Sequence, residues 1–133
     1  MPDKFSPEIR SRIMSSIRSK NTKPETKIRR ITWALGKRFR IHDRTVPGTP
    51  DISNKSKKVA VFIDGCFWHG CPKCYKEPQS NSEFWRNKIA RNRQRRKTVR
   101  KSLKRDGWTV MEFWEHSVKK APVPIAIKIS EIM

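Results

Sequence analysis

The fold is decided by the stretch VAVFIDGCFWHGCPKC, which spans residues 59–74. Its opening residues, 59–63, are apolar at every position, as expected for a central strand that is covered on both faces. Its second half contains three cysteines within nine residues, and irregular sequence continues to about residue 80. A structureless loop of that length inside a small domain needs either a function or a cross-link. A metal ion bound by the cysteines would supply the cross-link.

The cysteines predict a structural zinc site. Three of the four corners of a tetrahedral site would be filled by Cys66, Cys71 and Cys74, and the CPKC spacing is common in zinc sites. The predicted fourth ligand is His116, which can reach the loop only if the last predicted strand lies beside the apolar strand. His42 and His69 are the alternative fourth ligands, and three buried reduced cysteines are the competing interpretation. An odd number of cysteines is more typical of a metal site in a reducing compartment than of a fold cross-linked by disulfides.

The composition indicates a nucleic-acid-binding protein. The 133 residues make about one domain. They include 32 Lys and Arg against 12 Asp and Glu, and the formal net charge of +20 favours a polyanionic partner. A basic membrane-surface protein is the alternative, but the sequence has no long apolar run, signal peptide or lipidation motif to support it. We therefore predict a cytoplasmic, nucleoid-associated protein that does not bind membranes.

Two helices are predicted before the apolar strand. Isoleucine at every fourth position from residue 9 to residue 17 predicts a short helix that ends near Lys20. The spacing from Thr22 to Glu25 is that of a capping box and begins a second helix, which Gly36 ends. The buried face of that second helix is predicted to carry Ile28, Ile31 and Leu35.

A long helix is predicted after the cysteine loop. The spacing from Ser80 to Glu83 is again that of a capping box, and the helix extends to about Arg105. Its apolar face is predicted to carry Trp85, Ile89, Val99 and Leu103. Asn92 and Arg96 fall on the same stripe, which indicates either a gap open to solvent or a functional role.

The remaining pattern predicts short strands and a closing helix. Alternation at Phe39 and Ile41 predicts a strand, and a loop rich in turn residues then leads to a short strand that begins at Asp51. Residues 108–114 alternate as a last strand. The pattern over residues 122–133 predicts a helix with Ile125, Ile129 and Ile132 facing inward.

Two aspartates could form a site for a hard cation. Asp51 and Asp64 lie thirteen positions apart, and a hairpin turn near residues 54–57 would bring them together at strand ends, where Mg²⁺ could bind. His69 could then transfer the proton of an attacking water. Glu25 could complete the set or serve only as the acid of the capping box. The alternative is that both aspartates merely begin turns.

Aromatic and basic residues complete the functional pattern. Phe67 and Trp68 lie inside the cysteine loop and Trp85 lies at the start of the long helix, so these rings either belong to the core or insert between bases. Met14, which is surrounded by arginines, could act as an apolar wedge from another direction. The basic run over residues 91–104 is predicted to follow the phosphate backbone.

Taken together, these residues resemble the very short patch repair (Vsr-type) DNA mismatch endonuclease family. The matching motifs occur in the expected order: KNTKPE at 20–25, PGTPD at 47–51, FIDGCFWH at 62–69, FW at 84–85, KI at 88–89, Asn92, and GW at 107–108. The resemblance implies a restriction-endonuclease-like α/β fold of the PD-(D/E)xK type, with a central mixed sheet flanked by helices and one structural zinc site. It also implies Mg²⁺-dependent nicking of one strand on the 5′ side of the thymine in a T:G mismatch, which arises when 5-methylcytosine is deaminated.

The same resemblance implies a role for each matching residue. Asp51 is implied to be the metal-binding catalytic aspartate, His69 the catalytic histidine, and Glu25 an acid near the reacting phosphate. The main-chain carbonyl of Ile63 is implied to contact the Mg²⁺. The best-known member has histidine where this chain has Asp64, so Asp64 is predicted to be a second acidic ligand of that ion.

DNA-contacting and zinc-binding residues follow in the same way. The residues implied to insert beside the mismatch are Phe67, Trp68, Trp85 and, from the N-terminal helix, Met14. Bases are implied to be read by Lys88 and Asn92. The zinc ligands are implied to be Cys66, Cys71, Cys74 and His116.

The complete prediction is one Vsr-like endonuclease domain over residues 1–133. Residues 1–20 would form a DNA-contacting helix and residues 21–133 the catalytic core. The protein is predicted to be a monomer that acts on double-stranded DNA containing a mismatch, with repair proteins as further candidate partners. Two alternatives stay open: a sequence-specific restriction or mobile-element nuclease of the same fold, and a non-catalytic zinc-stabilised module that binds nucleic acid.

Overall fold

A computed structural model of the chain describes residues 22–133. The elements in chain order are α1 (Lys23–Ala34), β1 (Ile52–Asn54), β2 (Val59–Asp64), α2 (Ser82–Arg105), β3 (Thr109–Trp114), α3 (Glu115–Lys120) and α4 (Pro122–Glu131). The helix predicted to end near Lys20, and with it the wedge residue Met14, lies outside the described residues. Between residues 22 and 133, no helix combines the length and the apolar character needed to cross a lipid bilayer.

The three strands form one mixed sheet in the order β1-β2-β3. β1 pairs antiparallel with β2, placing Ile52 opposite Val61. β2 pairs parallel with β3, placing Asp64 opposite Trp114. Because β2 and β3 are parallel, the loop that follows β2 and the helix that follows β3 begin at the same end of the sheet. The predictions of an α/β architecture, of the β1-β2 hairpin and of the last strand are confirmed.

Strand β2 is buried at all six positions because helices cover both faces of the sheet. On one face, Val59, Val61 and Ile63 join a core cluster that includes Ile28 of α1 and Ile129 of α4. On the other face, Ala60 and Phe62 pack with Leu103 of α2 and with Val46. The unbroken apolar run thus follows from burial on two sides.

Helix α1 confirms the prediction of a capped helix with Ile28 on its buried face, and Ile31 packs partly buried against the same core. The Thr22 hydroxyl accepts a hydrogen bond from the Glu25 backbone N–H at 3.4 Å, as in a capping box. At the other end, Gly36 adopts a left-handed φ of 86°. The buried side chains of the helix are Pro24, Glu25, Ile28 and Thr32, whereas Leu35 is 47% exposed. The prediction for Leu35 is therefore wrong, and the helix instead turns Glu25 towards the protein interior.

Two other regions differ in detail from the sequence prediction. Helix α2 has the predicted extent, and its N-cap residue is Asn81, which adopts a left-handed φ of 55° and makes no side-chain capping bond. The strand predicted at Phe39 and Ile41 is reduced to a single antiparallel bridge between Arg40 and Ser53. This pairing stops because His42, with a φ of 47°, turns the chain away from the sheet. Helix α3 was not predicted, since its six residues carry no clear pattern.

Gly48 is required where the loop before β1 packs against helix α2 and strand β2. Its φ is +80°, and a Cβ added there would lie 2.5 Å from Val99 Cγ1 and 3.3 Å from the Phe62 ring. We expect Gly48→Ala to lower the free energy of unfolding by about 3 kcal/mol, since left-handed strain and overpacking add together. Gly36→Ala is the matched control: its φ is +86° but no atom lies within 4 Å of the added Cβ, so we expect a loss of only about 1 kcal/mol. Urea denaturation measures both values, and equal losses would contradict the packing argument.

Candidate active site and metal cluster

The three cysteines and His116 form one compact cluster. His116 Nδ1 lies 3.4 Å from Cys66 Sγ, 3.4 Å from Cys71 Sγ and 3.5 Å from Cys74 Sγ. In a tetrahedral zinc site with Zn–S of about 2.3 Å and Zn–N of about 2.0 Å, the sulfur–nitrogen edges are about 3.5 Å. The four side chains therefore have the chemistry and the spacing of a structural zinc site and could hold that ion.

Parallel pairing of β2 and β3 produces this cluster. The cysteines follow β2, and His116 is the second residue of α3, which begins directly after β3. This is the arrangement on which the prediction of His116 depended. Neither alternative histidine joins the cluster, and Cys74 is exposed, which does not fit three buried reduced cysteines.

The thiols of the cluster differ in their electrostatic surroundings. Burial raises the pKa of the Cys66 thiol to about 12. Burial also opposes ionisation of Cys71, but hydrogen bonds from the backbone of Cys74 and Lys73, together with those from the Cys66 and Cys74 side chains, lower the pKa of that thiol. Zinc binds cysteine as thiolate, and the positive charge of a bound ion would favour the thiolate form of all three cysteines.

A second cluster consists of Glu25, His42 and Asp51, and we call it the acid–histidine cluster. One ligand atom from each residue lies within 4.8 Å of the others. His42 Nε2 is 2.6 Å from Glu25 Oε1 and 3.6 Å from Asp51 Oδ1. Each residue comes from a different part of the chain: helix α1, the turn after the Arg40 bridge, and the residue before β1.

Burial, together with the close approach of two carboxylates, determines the electrostatics of this cluster. Burial raises the pKa of Asp51 to about 8, and the charge of Glu25 acts in the same direction. The backbone N–H of Ile63 opposes this shift by donating to Asp51 Oδ2 at 2.6 Å. Glu25 itself is only 2% exposed. Two such carboxylates are stable together only when a proton or a cation lies between them.

The hydrogen bond from Ile63 also orients Asp51. It fixes Oδ2 against the edge of β2 and leaves Oδ1 directed towards His42. Asp51 and Ile63, which were predicted to share a Mg²⁺, are therefore neighbours in space. The part of that prediction that concerns the Ile63 carbonyl stays a prediction.

Asp64 is not a member of the acid–histidine cluster. It lies at the end of β2, is 7% exposed, and its Oδ1 accepts a hydrogen bond from the guanidinium of Arg96. His69 Nε2 lies 3.7 Å from the same oxygen. Burial lowers the pKa of His69, and the charge of Asp64 offsets this only in part. The role of Asp64 as a second metal ligand stays a prediction, and its hydrogen-bonded partner in the structure is Arg96.

Two neighbouring clefts connect the predicted catalytic and base-reading residues. One cleft, of about 410 Å³, is lined by residues that include Asp51, Ile63, Trp68, His69 and Arg96. The other, of about 420 Å³, shares Trp68, His69 and Arg96 with it and adds Lys88 and Asn92. Asn92 also donates a hydrogen bond to the Trp68 carbonyl at 3.0 Å. The predicted catalytic histidine thus lies between the acid–histidine cluster and the base-reading residues.

An aromatic cluster lies beside these clefts. The Phe67 ring centroid is 5.1 Å from that of Trp68 and 5.3 Å from that of Trp85, and Trp85 lies 5.2 Å from Phe84. The rings of Phe67, Trp68 and Trp85 are partly exposed, and Phe84 is 53% exposed. These rings therefore form a surface that another molecule can contact, not a sealed core.

Two residues of the site were not assigned to it from the sequence. The sequence indicates His42 only as an alternative zinc ligand, and Arg96 only as one of two polar residues on the stripe of α2. Arg96 in fact stacks over the Phe62 ring at 4.0 Å while it pairs with Asp64. Its place on a mostly apolar stripe is the signal that could identify it, whereas nothing in the local sequence points to His42.

Comparison with known proteins agrees with a nuclease site. The model of the family described as "DNA mismatch endonuclease Vsr" matches residues 2–76. The chain belongs to the Vsr family of DNA endonucleases. It is accordingly an enzyme, a DNA nicking endonuclease, and the alternative of a non-catalytic binding module is excluded.

Relatives match nearly the whole chain. The type II nicking enzyme V.HpaIIP of Haemophilus parainfluenzae is 42% identical over 132 residues, covering 97% of this chain and 94% of its own. The type II nicking enzyme V.NmeDIP of Neisseria meningitidis serogroup C is 43% identical over 131 residues, with 97% and 88% covered. The DNA mismatch endonuclease Vsr of Escherichia coli K12 is more distant, at 32% identity over 121 residues, with 90% and 77% covered.

Proposed function

We propose that this protein nicks one DNA strand on the 5′ side of the thymine in a T:G mismatch and so initiates repair of deaminated 5-methylcytosine. The observation that carries this proposal is the shared cleft, in which Asp51, His69 and Trp68 line one surface. Hydrolysis of a phosphodiester and recognition of a disturbed base pair need neighbouring sites, and the lining of this cleft supports that arrangement. The sheet covered by helices on both faces supports the finer assignment to the restriction-endonuclease-like fold.

The acid–histidine cluster has the donor set of a divalent cation site. Asp51 and Glu25 offer carboxylate oxygens, and Ile63 lies beside Asp51. A bound Mg²⁺ would stabilise negative charge on the phosphate and on the leaving oxygen. Asp51 can serve this purpose because its carboxylate is held in one orientation by the Ile63 N–H.

His69 is proposed to accept the proton of the attacking water. Burial keeps its pKa below the ordinary value, so the neutral imidazole that a general base requires is favoured near pH 7. Asp64 lies 3.7 Å from its Nε2 and would stabilise the imidazolium once the proton has been transferred. Arg96, which pairs with Asp64, keeps that carboxylate in place.

The aromatic cluster is proposed to enter the duplex at the mismatch. Phe67, Trp68 and Trp85 lie close together and partly exposed, so a base step could open around them at a cost of a few kcal/mol. That cost is smallest where the pair is already faulty. Lys88 and Asn92, which line the adjoining cleft, are proposed to contact the exposed base edges.

A second candidate function is nicking at a defined sequence without a mismatch. It is favoured by one observation, namely that the relatives at 42% and 43% identity are named type II nicking enzymes. The name of the E. coli relative, at 32% identity, supports the mismatch proposal instead.

A nicking assay on paired oligonucleotides separates the two functions. We expect a duplex with a central T:G pair to be nicked roughly a hundred-fold faster than the same duplex with C:G, because opening a matched step costs a few kcal/mol more. Each strand is labelled separately, and the reaction is run with and without Mg²⁺. The proposal requires cleavage only in the strand that carries the thymine. Equal rates on matched and mismatched duplexes would instead support sequence-specific nicking.

A further inference from the structure

We propose that His42 is a nitrogen ligand of the catalytic cation, so that Glu25, His42 and Asp51 together form a site that binds Mn²⁺ in preference to Mg²⁺. This inference rests on the proposed function, because it concerns the ion used in the same cleft. It differs from the metal site predicted from the sequence, in which every donor is oxygen and the second side chain is Asp64.

Geometry favours His42 over Asp64 as a partner of Asp51. His42 Nε2 lies 3.6 Å from Asp51 Oδ1 and 2.6 Å from Glu25 Oε1. An ion can bridge donors at such separations with small movements of the side chains. Asp64 instead accepts a hydrogen bond from Arg96 at Oδ1, and it is not among the residues whose ligand atoms cluster with Asp51.

A positive group already lies between two members of the cluster. Arg29 Nη2 is 3.1 Å from His42 Nε2, and it also donates a hydrogen bond to Glu25 Oε1. Within the described residues, the Nε atom of the same guanidinium is buried and has no hydrogen-bond partner. The Arg29 side chain therefore acts as a counter-ion to Glu25 within the cluster, and a bound cation would take over the Glu25 and His42 contacts that Arg29 makes.

The backbone holds His42 in this position. Its φ of 47° lies in the left-handed region, which costs energy for a residue other than glycine although histidine tolerates it better than most. The conformation is fixed by the His42 N–H, which donates to the Pro50 carbonyl at 3.1 Å. Because Pro50 directly precedes Asp51, this one bond sets the distance between the imidazole and the carboxylate.

The donor set determines which ion is preferred. Mg²⁺ favours ligand shells built from oxygen and retains water, whereas imidazole nitrogen suits first-row transition ions better. Among these ions, Mn²⁺ also accepts carboxylate and water ligands readily. A site with two carboxylates and one imidazole should therefore bind Mn²⁺ more tightly than Mg²⁺.

Electron spin echo spectroscopy of bound Mn²⁺ tests the assignment directly. We expect the zinc-loaded protein to bind Mn²⁺ about tenfold more tightly than Mg²⁺ in a competition titration. The echo of the bound Mn²⁺ should carry the nitrogen modulation of an imidazole ligand. In His42→Gln, which keeps a neutral polar side chain, that modulation should disappear and the Mn²⁺ affinity should fall about tenfold, while the Mg²⁺ affinity changes little.

His69→Gln is the matched control, since His69 lines the same cleft as Asp51 but is not a member of the acid–histidine cluster. This variant should keep the nitrogen modulation. Loss of modulation in the His69 variant, its survival in the His42 variant, its absence from the parent, or no binding of Mn²⁺ would each overturn the inference. If His42→Gln does not fold, the parent protein grown with ¹⁵N-histidine shows whether a histidine is the ligand, because the modulation must then change to that of ¹⁵N, and persistence of the modulation in His69→Gln excludes His69 as its source.

Nicking is measured separately on the T:G duplex with Mg²⁺. Nicking of the T:G duplex by a parent protein without nitrogen modulation would contradict only the assignment of His42 as a metal ligand. Nitrogen modulation in a parent protein that does not prefer the mismatch would contradict only the proposed function.

Discussion

An Asp51→Asn variant should bind a T:G duplex as tightly as the parent protein and nick it about a thousand-fold more slowly. The amide is a far weaker ligand for a divalent cation than a carboxylate, so the charge stabilisation that the ion supplies is lost. DNA binding should survive, because removal of a negative charge from a protein of net charge +20 cannot weaken attraction to phosphates. Single-turnover nicking and a binding titration at the same salt concentration measure the two effects.

Asp106→Asn is the control for this variant, because Asp106 is an exposed carboxylate at the C-terminal end of α2. It should nick at the rate of the parent protein. Undiminished nicking by Asp51→Asn would show that the acid–histidine cluster does not bind the catalytic ion. Loss of both binding and nicking would indicate misfolding, which a circular dichroism melt detects.

The Asp51→Asn substitution should also change how the free energy of unfolding depends on pH. Burial, followed by the charge of Glu25, raises the pKa of Asp51 from 3.8 to about 8, so the folded state binds this proton more tightly than the unfolded state. The corresponding stability is complete below about pH 4 and is lost as the pH rises through about 8. Asparagine cannot ionise, so without added divalent cation the variant should lose less stability than the parent between about pH 5 and pH 9. An equal loss in urea denaturation would show that Asp51 is not the destabilising charge.

The sheet could be predicted from the sequence because its central strand has only one physically reasonable environment. Residues 59–63 are apolar on both faces, and all of them are buried in β2. The prediction that His116 meets the cysteines followed from a condition on topology, that β3 lies beside β2. The parallel register of Val59 with Thr109 and of Asp64 with Trp114 satisfies that condition.

The acid–histidine cluster could not be predicted in the same way, because its geometry is set by loops and by a small rotation of a helix. α1 turns Glu25 inward along a stripe with Ile28 and Thr32, whereas the isoleucine and leucine pattern predicts a face that is rotated towards Leu35. His42 joins through a left-handed turn whose position depends on Pro50 in a distant part of the loop. Local patterns do not encode contacts of this kind, since they arise only when the chain has folded.

The pairing of Asp64 with Arg96 is a third case. The stripe of α2 was predicted correctly, but a polar residue on it indicated either a gap open to solvent or a functional role. The stripe of α2 contains Arg96 between Ile89 and Leu103, both buried. A stripe position faces the sheet, so the guanidinium meets Asp64 there and lies over the Phe62 ring. The sequence could predict the direction of the side chain but not the partner, which comes from another element.

Removal of a zinc ligand should have a large effect on the stability of the protein. We expect Cys71→Ser to abolish stoichiometric zinc binding and to lower the melting temperature by about 10 °C, because binding energy at structural zinc sites contributes directly to folding. Cys71 is the most suitable position, since it is 1% exposed and its Sγ lies 3.4 Å from His116 Nδ1. Metal analysis and differential scanning calorimetry measure the two effects.

The functional consequence follows from the position of the aromatic rings in the zinc-bound loop. Phe67 and Trp68 lie between the first and second cysteines, so a loop without its cross-link should no longer hold them against Trp85, and the preference for T:G over C:G should fall with the zinc content. Tyr75→Phe is the matched control in the same loop, because the buried Tyr75 hydroxyl has no hydrogen-bond partner among residues 22–133. This variant should keep its zinc, its melting temperature and its mismatch preference. Native protein without zinc, or a Cys71→Ser variant as stable and selective as the parent, would show that the loop is ordered by its own packing.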